Sequence, residues 1–423
     1  MKSLADWLNH LERLHPRPID MGLERVEKVR AAMGLSLNVP LLTVGGTNGK
    51  GSVCAFLEAI LRQAGYRTGL YTSPHLVRYN ERVRIDGAEV EDATLVAGFE
   101  RIDAARAGTS LTYFEFGTLA AVSAFVDAGV EVAILEVGLG GRLDAVNVFD
   151  PDCAIVVSVD LDHMNFLGST RESIGREKAG IFRPGKPAIY GANDPPQSLL
   201  RHAASIGARL LIAGRDFGFE QTPQQWRYWG PESVRAGLPH PSLRGAHQLG
   251  NAAAAIAALD EVRAGLPVHM QALRTGLVTA APAARFQVLP GRPVIVLDVA
   301  HNPHAARALA QNLRAQGRFN RTLAVFAMLA DKDIAGVVAA VKDQVSEWCI
   351  AGLGGDRGSS ASTVAAIVAE ADPGKAAHAF DSPDAAYAFA RGAASVDDRI
   401  AVFGSFHTVS EVLVAHDAAR PKT

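Results

Sequence analysis

The stretch LLTVGGTNGKGSVCAFL, residues 41–57, decides the fold of this 423-residue chain. Its apolar start, residues 41–44, predicts a strand, and residues 45–52 form a glycine-rich turn. Apolar residues at helical spacing follow, among them Val53 and Phe56. In such a strand–turn–helix unit, backbone N–H groups and the positive end of the helix can converge on a phosphate.

The polar residues of this turn are suited to a nucleotide. Lys50 would supply a point charge for the outer phosphates, and Ser52 a hydroxyl for Mg²⁺. The spacing nevertheless differs from the usual P-loop, because Val44 stands where the first glycine belongs and the hydroxyl lies two residues beyond the lysine. An ordinary glycine-rich turn therefore remains the alternative interpretation.

Composition narrows the possible classes of protein. A chain of 423 residues with 48% hydrophobic residues predicts two or three domains with well-filled cores. A net charge of −2 gives no electrostatic reason to expect nucleic acid or an anionic membrane as a partner. No apolar run approaches the length of a membrane span, and polar residues interrupt the first 16 residues where a signal peptide would be apolar.

The three cysteines, Cys54, Cys153 and Cys349, are widely separated and follow no metal-binding spacing. We therefore expect reduced, buried side chains. Together with the composition, this favours a bacterial-type cytoplasmic protein.

Strands alternate with helices along the first two thirds of the chain. Buried strands are predicted near residues 41–44, 67–71, 132–137, 153–159 and 187–190, and helices near residues 91–105, 114–127 and 171–182. This order is typical of βαβ units and an α/β fold with a mainly parallel sheet. Asp20 is expected to cap an early helix over residues 23–33. Residues 72–82 are predicted to form a polar, substrate-facing loop, and residues 217–235 a small antiparallel insert.

A second alternation follows a segment rich in proline and glycine, residues 280–293. We place the domain boundary there, which gives an N-terminal domain with the P-loop-like turn over residues 1–284 and a C-terminal domain over residues 285–423. Predicted strands at 294–298, 322–326, 348–351 and 399–403, with helices between them, indicate a smaller Rossmann-like α/β domain.

Polar residues follow several predicted strands of the first domain. In a doubly wound sheet, ligands collect beyond the carboxyl ends of the strands, where Lys50 with Ser52, Ser73, Glu136 and His163 are expected. Hydroxyl, carboxylate and imidazole groups can bind Mg²⁺ when phosphates and waters complete the octahedron. The alternatives are a hydrogen-bonded strand-end glutamate and an ordinary loop histidine.

Four further residues are candidates for the site, and three of them allow a second interpretation. Lys178 is either a surface lysine paired with neighbouring acids or part of the site. Asp298 could hold a ribose hydroxyl at the start of the second domain. Arg285 either clamps a phosphate or is a solvated arginine. Ser405 either serves a ligand or caps a helix.

Other enzyme classes lack support in the sequence. G-x-S-x-G, H-E-x-x-H and a nicotinamide fingerprint G-x-G-x-x-G are absent from the contexts that they require. Hydrolase, metalloprotease and dehydrogenase activities are therefore weak hypotheses.

Five stretches, taken together, resemble a known family. They are GGTNGKGS (45–52), YTSPHLVRYNERVRIDG (71–87), LEVGLGGRLDAVN (135–147), GREKAGIFRPGKP (175–187) and LDVAHNPHA (297–305). The sequence resembles the folylpolyglutamate synthases, and more closely the bacterial bifunctional dihydrofolate synthase/folylpolyglutamate synthases, a branch of the Mur-type ATP-dependent ligases. The resemblance extends over nearly the whole chain. It also accounts for the displaced hydroxyl, because the loop of this family is T-N-G-K-G-[ST].

The resemblance implies a two-domain ligase that holds ATP between a P-loop domain and a Rossmann-like domain. ATP would convert a carboxylate of the pteroate or folate to an acyl phosphate. The amine of L-glutamate would then displace phosphate and form an amide. Mg²⁺ is the implied cofactor, and the implied partners are small molecules only: ATP, L-glutamate and dihydropteroate or folates.

The resemblance also assigns roles to individual residues. The residues implied to bind ATP are Gly49, Lys50, Gly51, Ser52, Asn251, Arg285 and Asp298. Those implied to support Mg²⁺ are Ser73, Glu136 and His163. The pterin substrate would contact Pro18, Ile19, Asp20, Thr112, Tyr113, Phe114, Glu115, Leu143, Asp144 and Ala145. His301 and Ser405 would meet glutamate, and Lys178 matches a lysine that is carbamylated in this family. Lys50, Lys178 and His301 are the implied catalytic residues.

Three alternatives remain open from the sequence alone. One is a folylpolyglutamate synthase without the second activity, and another is a Mur-type ligase with a different acceptor. The third is a P-loop ATPase or switch that binds nucleotide and a partner without forming a bond. The absence of a heptad or of a large exposed apolar stripe favours a monomer.

Overall fold

The computed structural model describes residues 2–355 and 357–419, which divide into two compact units. The first unit comprises the described residues of Met1–His75, Tyr79–Ser242 and Gln248–Ala281. The second comprises those of Leu76–Arg78, Leu243–His247 and Pro282–Thr423. Two short segments, Leu76–Arg78 and Leu243–His247, therefore group with the second unit although they lie far from it in sequence.

The elements of the first unit alternate as its sequence predicts. Its strands are β1 (Leu41–Gly45), β2 (Thr68–Tyr71), β3 (Val83–Ile85), β4 (Ala88–Glu89), β5 (Val132–Glu136), β6 (Cys153–Val156), β7 (Pro187–Tyr190), β8 (Arg209–Ile212), β9 (Gly218–Gln221), β10 (Trp226–Trp229) and β11 (Val234–Leu238). Its helices are α1 (Leu4–Leu14), α2 (Glu24–Ala32), α3 (Lys50–Gln63), α4 (Asp92–Ala105), α5 (Tyr113–Ala128), α6 (Met164–Leu167), α7 (Arg171–Ala179), α8 (Gln197–Ile206), α9 (Ala246–Glu261) and α10 (Met270–Thr279).

Eight of these strands form one sheet in the order β4-β3-β2-β5-β1-β6-β7-β8. The six strands from β2 to β8 in this order pair in parallel, and β3 and β4 add an antiparallel edge. All five residues of β1 are buried, as are those of β5, because helices cover both faces of the sheet. The carboxyl ends of β2, β5, β1 and β6 therefore lie side by side. The predicted antiparallel insert is confirmed as the three-stranded sheet β11-β10-β9.

The second unit contains a mixed six-stranded sheet in the order β12-β13-β17-β14-β15-β16. Its strands are β12 (Gln287–Leu289), β13 (Val294–Leu297), β14 (Thr322–Phe326), β15 (Glu347–Ala351), β16 (Ala376–Phe380) and β17 (Arg399–Phe403). Its helices are α11 (Pro303–Ala315), α12 (Ile334–Val341), α13 (Ala361–Ala371), α14 (Pro383–Ala393) and α15 (Phe406–Ala418). All pairs are parallel except β12 with β13, and apolar clusters cover both faces. The predicted α/β class is confirmed for both units.

Several local predictions are wrong. Asp20 does not cap α2, whose N-cap residue is Leu23, with no side-chain hydrogen bond. The strand expected over 153–159 ends at Val156, and the helix expected over 171–182 ends at Ala179. Five strands were not predicted from the sequence: β3, β4, β8, β12 and β16.

The segment 72–82 is not the wholly polar loop that was expected. It ends in a 3₁₀ helix, Tyr79–Arg82, in which Tyr79 and Asn80 are buried. Asn80 donates hydrogen bonds to the Val90 carbonyl and to Asp92, each over 2.8 Å. These bonds compensate the burial of its amide, a pairing that the sequence pattern alone does not reveal.

None of the helices in the described part of the chain is long and apolar enough to cross a membrane.

Candidate active site

The loop between β1 and α3 is the first component of the site. Gly46 and Gly49 have φ angles of 145° and 86°, and α3 begins at Lys50 directly after Gly49. Gly49 is the N-cap residue and offers no side-chain hydrogen bond to the first turn. The first N–H groups of α3 therefore depend on another acceptor, and a phosphate is suitable.

The chain that follows β6 holds this loop in place. The Thr47 N–H donates to the Ser158 carbonyl over 2.8 Å, and the Asn48 N–H donates to Ser158 Oγ over 3.1 Å. The Thr47 hydroxyl donates to the Asp160 carbonyl and accepts from the Asp160 N–H. The loop is thus organised before any ligand binds.

Gly49 is also required for lack of space. A Cβ at this position would lie 2.8 Å from both Asn251 Oδ1 and Val157 Cγ1. Asn251 is buried on α9, where its amide donates to Gln248 Oε1 over 2.9 Å. The structure therefore brings Asn251 to the loop, although the two are 200 residues apart in sequence.

Lys50 extends its ammonium group over the loop. Its Nζ donates to the carbonyl of Gly46 over 3.1 Å and lies 3.5 Å from that of Thr47. Ser52, one turn into α3, is buried. The positive charge is held by neutral carbonyls, which leaves it available to an anion.

The neighbouring strand ends bring a carboxylate and hydroxyls to the same edge. Glu136 is the last residue of β5 and is buried, and its Oε2 accepts the N–H of Ser73 over 3.2 Å. His163 follows β6 with a φ of 50° and begins the short helix α6. The structure thus brings Ser73 to Glu136 and places His163 after β6, which lies on the other side of β1 from β5.

These residues fit a magnesium ion that is shared with a nucleotide. The described residues contain no group of three or more His, Cys, Asp or Glu side chains that could hold a metal by themselves. Mg²⁺ usually keeps waters and substrate phosphates and needs only one or two carboxylates. Ser73, Glu136 and His163, the residues expected to support Mg²⁺, include one carboxylate and would leave the remaining positions to phosphates and waters.

Lys178 is not the surface lysine of the simpler interpretation. It lies on α7 with 5% of its surface exposed, and burial lowers its pKa to about 7. The charge of Lys50 lowers the pKa further, whereas Asp162 and Asp144 oppose the shift. The acid next to it, Glu177, instead pairs with Arg142 over 2.9 Å.

Asp144 is a second buried ionisable group in this unit. Its two carboxylate oxygens accept the N–H groups of Leu139 and Val146 over 2.8 and 3.1 Å. Burial raises its pKa to about 7, against these hydrogen bonds and the charge of Lys50. Ala145 beside it is also buried, and Leu143 is half-buried.

The other residues expected on the pterin side come from two parts of the chain. Pro18 and Ile19 are exposed beside Asp20, and Thr112 caps α5 in a reciprocal pair of hydrogen bonds with Glu115. Between these two, the ring of Tyr113 lies edge-on to that of Tyr79, and the ring of Phe114 packs against Tyr71.

Two arginines at this place were missed by the sequence reading. Arg25 pairs with Asp20 over 2.8 Å and with Glu115 over 3.1 Å. Arg82 donates to His75 Nδ1 over 2.8 Å and lies over the ring of Tyr113. The sequence analysis assigned Asp20 to a helix cap and not to an ion pair with Arg25. It assigned residues 72–82 to a polar, substrate-facing loop and gave Arg82 no partner.

In the second unit, Asp298 follows β13 and accepts two backbone N–H groups. These come from Phe286 and Ala300, over 2.9 and 2.8 Å. Burial raises the pKa of Asp298 to about 6, although the Arg285 guanidinium opposes the shift. Arg285 itself lies over the ring of Phe406, so it is not simply a solvated arginine.

His301 and Ser405 lie at helix starts of the second unit. The Nδ1 atom of His301 is 2.8 Å from the Val299 carbonyl, which only accepts, so Nδ1 carries the hydrogen of this bond. Ser405 is the N-cap residue of α15, where its Oγ accepts the Thr408 N–H over 3.0 Å. Its capping role is confirmed.

Comparisons with known proteins agree with this architecture. The family model "Mur ligase middle domain" matches residues 44–259, and "Mur ligase, glutamate ligase domain" matches residues 284–406. The chain is 46% identical to the Escherichia coli dihydrofolate synthase/folylpolyglutamate synthase, over 99% of this chain and 96% of that protein.

Solved structures give the same result. E. coli FolC in complex with DHPP and ADP superposes with a TM-score of 0.94 at 45% identity, over 99% of both chains. A bifunctional folylpolyglutamate synthase/dihydrofolate synthase with Mn, AMPPNP and L-glutamate bound has a TM-score of 0.90 at 46% identity, over 99% of this chain and 98% of the other. The chain belongs to the dihydrofolate synthase/folylpolyglutamate synthase family of Mur-type ATP-dependent ligases.

Proposed function

We propose that the carboxyl-end edge of the first sheet binds the phosphates of ATP in the reaction of this family, which joins L-glutamate to dihydropteroate and to folates. One observation carries the proposal. Helix α3 begins after a glycine that cannot cap it, at a preformed loop, with Lys50 directed to the same place. An anion would complete the hydrogen bonds of this helix start.

In this proposal, Gly49, Lys50, Gly51 and Ser52 hold the outer phosphates, and Asn251 contacts ATP from α9. The closeness of Gly49 to Asn251 supports the last assignment. Arg285 and Asp298 are also proposed to contact ATP. This assignment is consistent with AMPPNP in the related crystal structure.

Ser73, Glu136 and His163 are the residues proposed to hold Mg²⁺. The metal would neutralise charge that develops on the transferred phosphoryl group. The protein contributes a buried carboxylate whose orientation is fixed by the Ser73 N–H. A manganese-bound relative supports a divalent cation at such a site.

The family's chemistry has two steps. A carboxylate oxygen of the pteroate or folate attacks the terminal phosphorus of ATP, so that an acyl phosphate forms and ADP leaves. The glutamate nitrogen then attacks the acyl carbon, the bond from carbon to the phosphate oxygen breaks, and the nitrogen loses a proton. Both steps depend on positioning and charge neutralisation more than on covalent catalysis, and Lys50 is proposed to serve them.

Lys178 is proposed to be carbamylated. A buried ammonium near a metal site would repel the cation, and the lowered pKa gives a neutral amine that can react with carbon dioxide. The reaction forms an N–C bond and releases a proton, and it converts the side chain to an anion. The anion would support Mg²⁺ where the cation opposed it.

The substrate contacts complete the assignment. The residues proposed to contact the pterin end are Pro18, Ile19, Asp20, Thr112, Tyr113, Phe114, Glu115, Leu143, Asp144 and Ala145. We propose that His301 and Ser405 meet glutamate. The proposed domains are residues 1–284, which bind ATP, and residues 285–423, which form the glutamate-ligase domain.

An ADP-release assay tests this function. We expect release that requires an acceptor and L-glutamate together, with dihydropteroate and tetrahydrofolate each serving as acceptor. If tetrahydrofolate but not dihydropteroate supports ADP release in the presence of L-glutamate, the protein has folylpolyglutamate synthase activity without dihydrofolate synthase activity. ADP release without glutamate would instead favour a P-loop ATPase or switch and refute the proposed role.

We also propose that the protein acts as a monomer in the cytoplasm and binds neither nucleic acid nor membranes. The net charge of −2 provides no strong field for polyanions. Cys54, Cys153 and Cys349 are free and buried, as is typical of a reducing compartment. Light scattering after size exclusion tests the oligomeric state.

A further inference from the structure

We infer that Arg25 is a positioning residue that joins the two pterin-side segments of the first unit and so sets the affinity for the pteroate. The segments are residues 18–20 and residues 112–115, and the inference rests on the proposed function. Arg25 belongs to neither segment. It lies in the first turn of α2, between them in space.

The guanidinium group of Arg25 uses its two terminal nitrogens for two segments. Nη1 lies 2.8 Å from Asp20 Oδ2, and Nη2 donates to the Asp20 carbonyl over 2.7 Å. Nη2 also donates to Glu115 Oε1 over 3.1 Å. The planar group thus fixes the backbone and the side chain of Asp20 relative to α5, which a lysine could not do.

Both carboxylates are held from their other sides as well. Glu115 Oε2 accepts the Thr112 N–H over 2.7 Å, so the same side chain ties Arg25 to the start of α5. Asp20 Oδ2 also meets His15 Nε2 over 3.1 Å, and His15 Nδ1 lies 2.5 Å from Ser110 Oγ. The network therefore spans residues 15–25 and 110–115.

The burial of Glu115 and of the start of α2 makes the contacts of Arg25 important for the position of both segments. Glu115 has only 4% of its side chain exposed, so its charge needs the guanidinium as a partner. The backbone of Arg25 is anchored by its neighbour Val26, which is completely buried in the core. The position of the guanidinium is thus set by packing before a substrate arrives.

The network leaves one oxygen of Asp20 for the substrate. All side-chain contacts of Asp20 named above fall on Oδ2, and Oδ1 accepts no hydrogen bond among the residues that the structure describes. The pterin ring carries N–H donors, which a carboxylate oxygen accepts. Arg25 would orient this oxygen without touching the substrate itself.

The test compares Arg25→Met and Arg25→Lys with a matched control, Arg101→Met. Arg101 pairs with Asp127 on α5 as well, but at its far end and in an exposed position. For Arg25→Met we expect the KM for dihydropteroate to rise about 10- to 100-fold, because binding groups would be misplaced. The KM values for ATP and glutamate and kcat should change less than about twofold. The KM of Arg25→Lys for dihydropteroate should lie between those of the wild type and Arg25→Met.

Several results would overturn this inference. One is an unchanged KM for dihydropteroate in a folded Arg25→Met protein, and another is a common shift of kcat and all three KM values, which indicates general structural damage. If Arg25→Met does not fold, Arg25→Lys decides by the same criterion. The control should match the wild type throughout.

A binding titration separates this inference from the proposed function. Quenching of protein fluorescence by dihydropteroate measures affinity without turnover, so it remains informative if the assay finds no ligase activity. Absence of acceptor-dependent ADP release in the wild type would refute the proposed function alone. Equal dihydropteroate affinity in wild type and Arg25→Met would refute the role of Arg25 alone.

Discussion

Helices that follow parallel strands begin differently in two regions of this molecule. In the first unit, α3 follows β1 with Gly49 at its N-cap and no capping side chain. In the second unit, Asn302 caps α11 and Ser405 caps α15, with bonds of 2.9 and 3.0 Å to backbone N–H groups. Of these three helices that follow parallel strands, α3 begins without a capping side chain, whereas α11 and α15 begin with one.

The difference indicates which groups a ligand can use in each region. An uncapped start offers backbone N–H groups to an anion, whereas a capped start has already satisfied part of them. At the capped starts of α11 and α15, the ligand contacts proposed above are accordingly made by side chains, whereas α14 of the same unit begins after Ser382 without a side-chain cap. The contrast is not a general property of the units, because Thr112 caps α5 within the first.

The largest effect is expected when the uncapped start loses its lysine. Lys50→Ala should lower kcat by on the order of 10³-fold, because the charge on the transferred phosphoryl group would lack a preorganised partner. The ADP-release assay measures this, and the melting temperature should stay near that of the wild type. Lys186→Ala removes an exposed lysine paired with Asp152 and serves as the control. Normal turnover in Lys50→Ala would refute the phosphate role.

The second prediction concerns Lys178, whose charge is proposed to change from positive to negative on carbamylation. Lys178→Ala should lower activity about 10- to 100-fold by weakening metal support, and bicarbonate should not restore it. Because its pKa is lowered to about 7, the neutral amine that reacts with carbon dioxide increases as the pH rises from 6 to 8. Activity of the wild type in bicarbonate-depleted buffer should rise with added bicarbonate over this range.

Isotope-labelled bicarbonate gives the decisive measurement for this lysine. A carbamate carbon signal should appear in the wild type and be absent from Lys178→Ala. A wild-type spectrum without that signal at saturating bicarbonate would contradict carbamylation, whatever the activity of the variant.

A smaller effect is expected from filling the space at the loop. Gly49→Ala places a Cβ 2.8 Å from Asn251 and Val157, and it also forces a positive φ on alanine. Gly185 has a φ of 70° with nothing within 4 Å, so Gly185→Ala incurs the backbone strain alone. Gly185→Ala should lose about 1–2 kcal/mol of unfolding free energy. Gly49→Ala should lose more, because the two close contacts add to the same backbone strain.

Only Gly49→Ala should, in addition, raise the KM for ATP, by about tenfold, because the loop must move to relieve the contact. Initial rates at varied ATP measure it. Equal KM values for the two alanine variants would show that the loop has room to adapt and would weaken its assignment as a rigid phosphate cradle.

The sequence predicted the α/β class and the main strands because buried parallel strands read as continuous apolar runs. The runs 132–137 and 187–190 illustrate this, and β5 and β7 lie where they predict. Short exposed or edge strands such as β4 and β16 carry no such pattern, and their residues are mostly exposed. Their pairing is decided by the tertiary structure and was missed.

The positions of residues that end strands were predictable from the sequence, whereas contacts between distant segments were not. Glu136 and Ser73 are joined because their strands are neighbours, which the alternation of elements implies. The contact of Arg25 with Glu115 spans 90 residues and depends on how α2 packs on α5. No local spacing encodes that distance. The burial of Lys178 was missed for the same reason, since α7 has only a short apolar face.

The smallest expected effect tests whether a capped start also binds a ligand. Ser405→Ala and Ser360→Ala each remove a serine that caps a helix of the second unit through a bond of 3.0 or 3.1 Å. Both variants should lose about 1 kcal/mol of unfolding free energy.

If Ser405 also meets glutamate, only Ser405→Ala should raise the KM for glutamate, by about tenfold for the loss of a hydrogen bond to a charged group. Equal stability losses with unchanged KM values would restrict Ser405 to capping. The proposed glutamate contact would then rest on His301. The capped start of α15 would bind no ligand, in contrast to the phosphate site proposed at the uncapped start of α3.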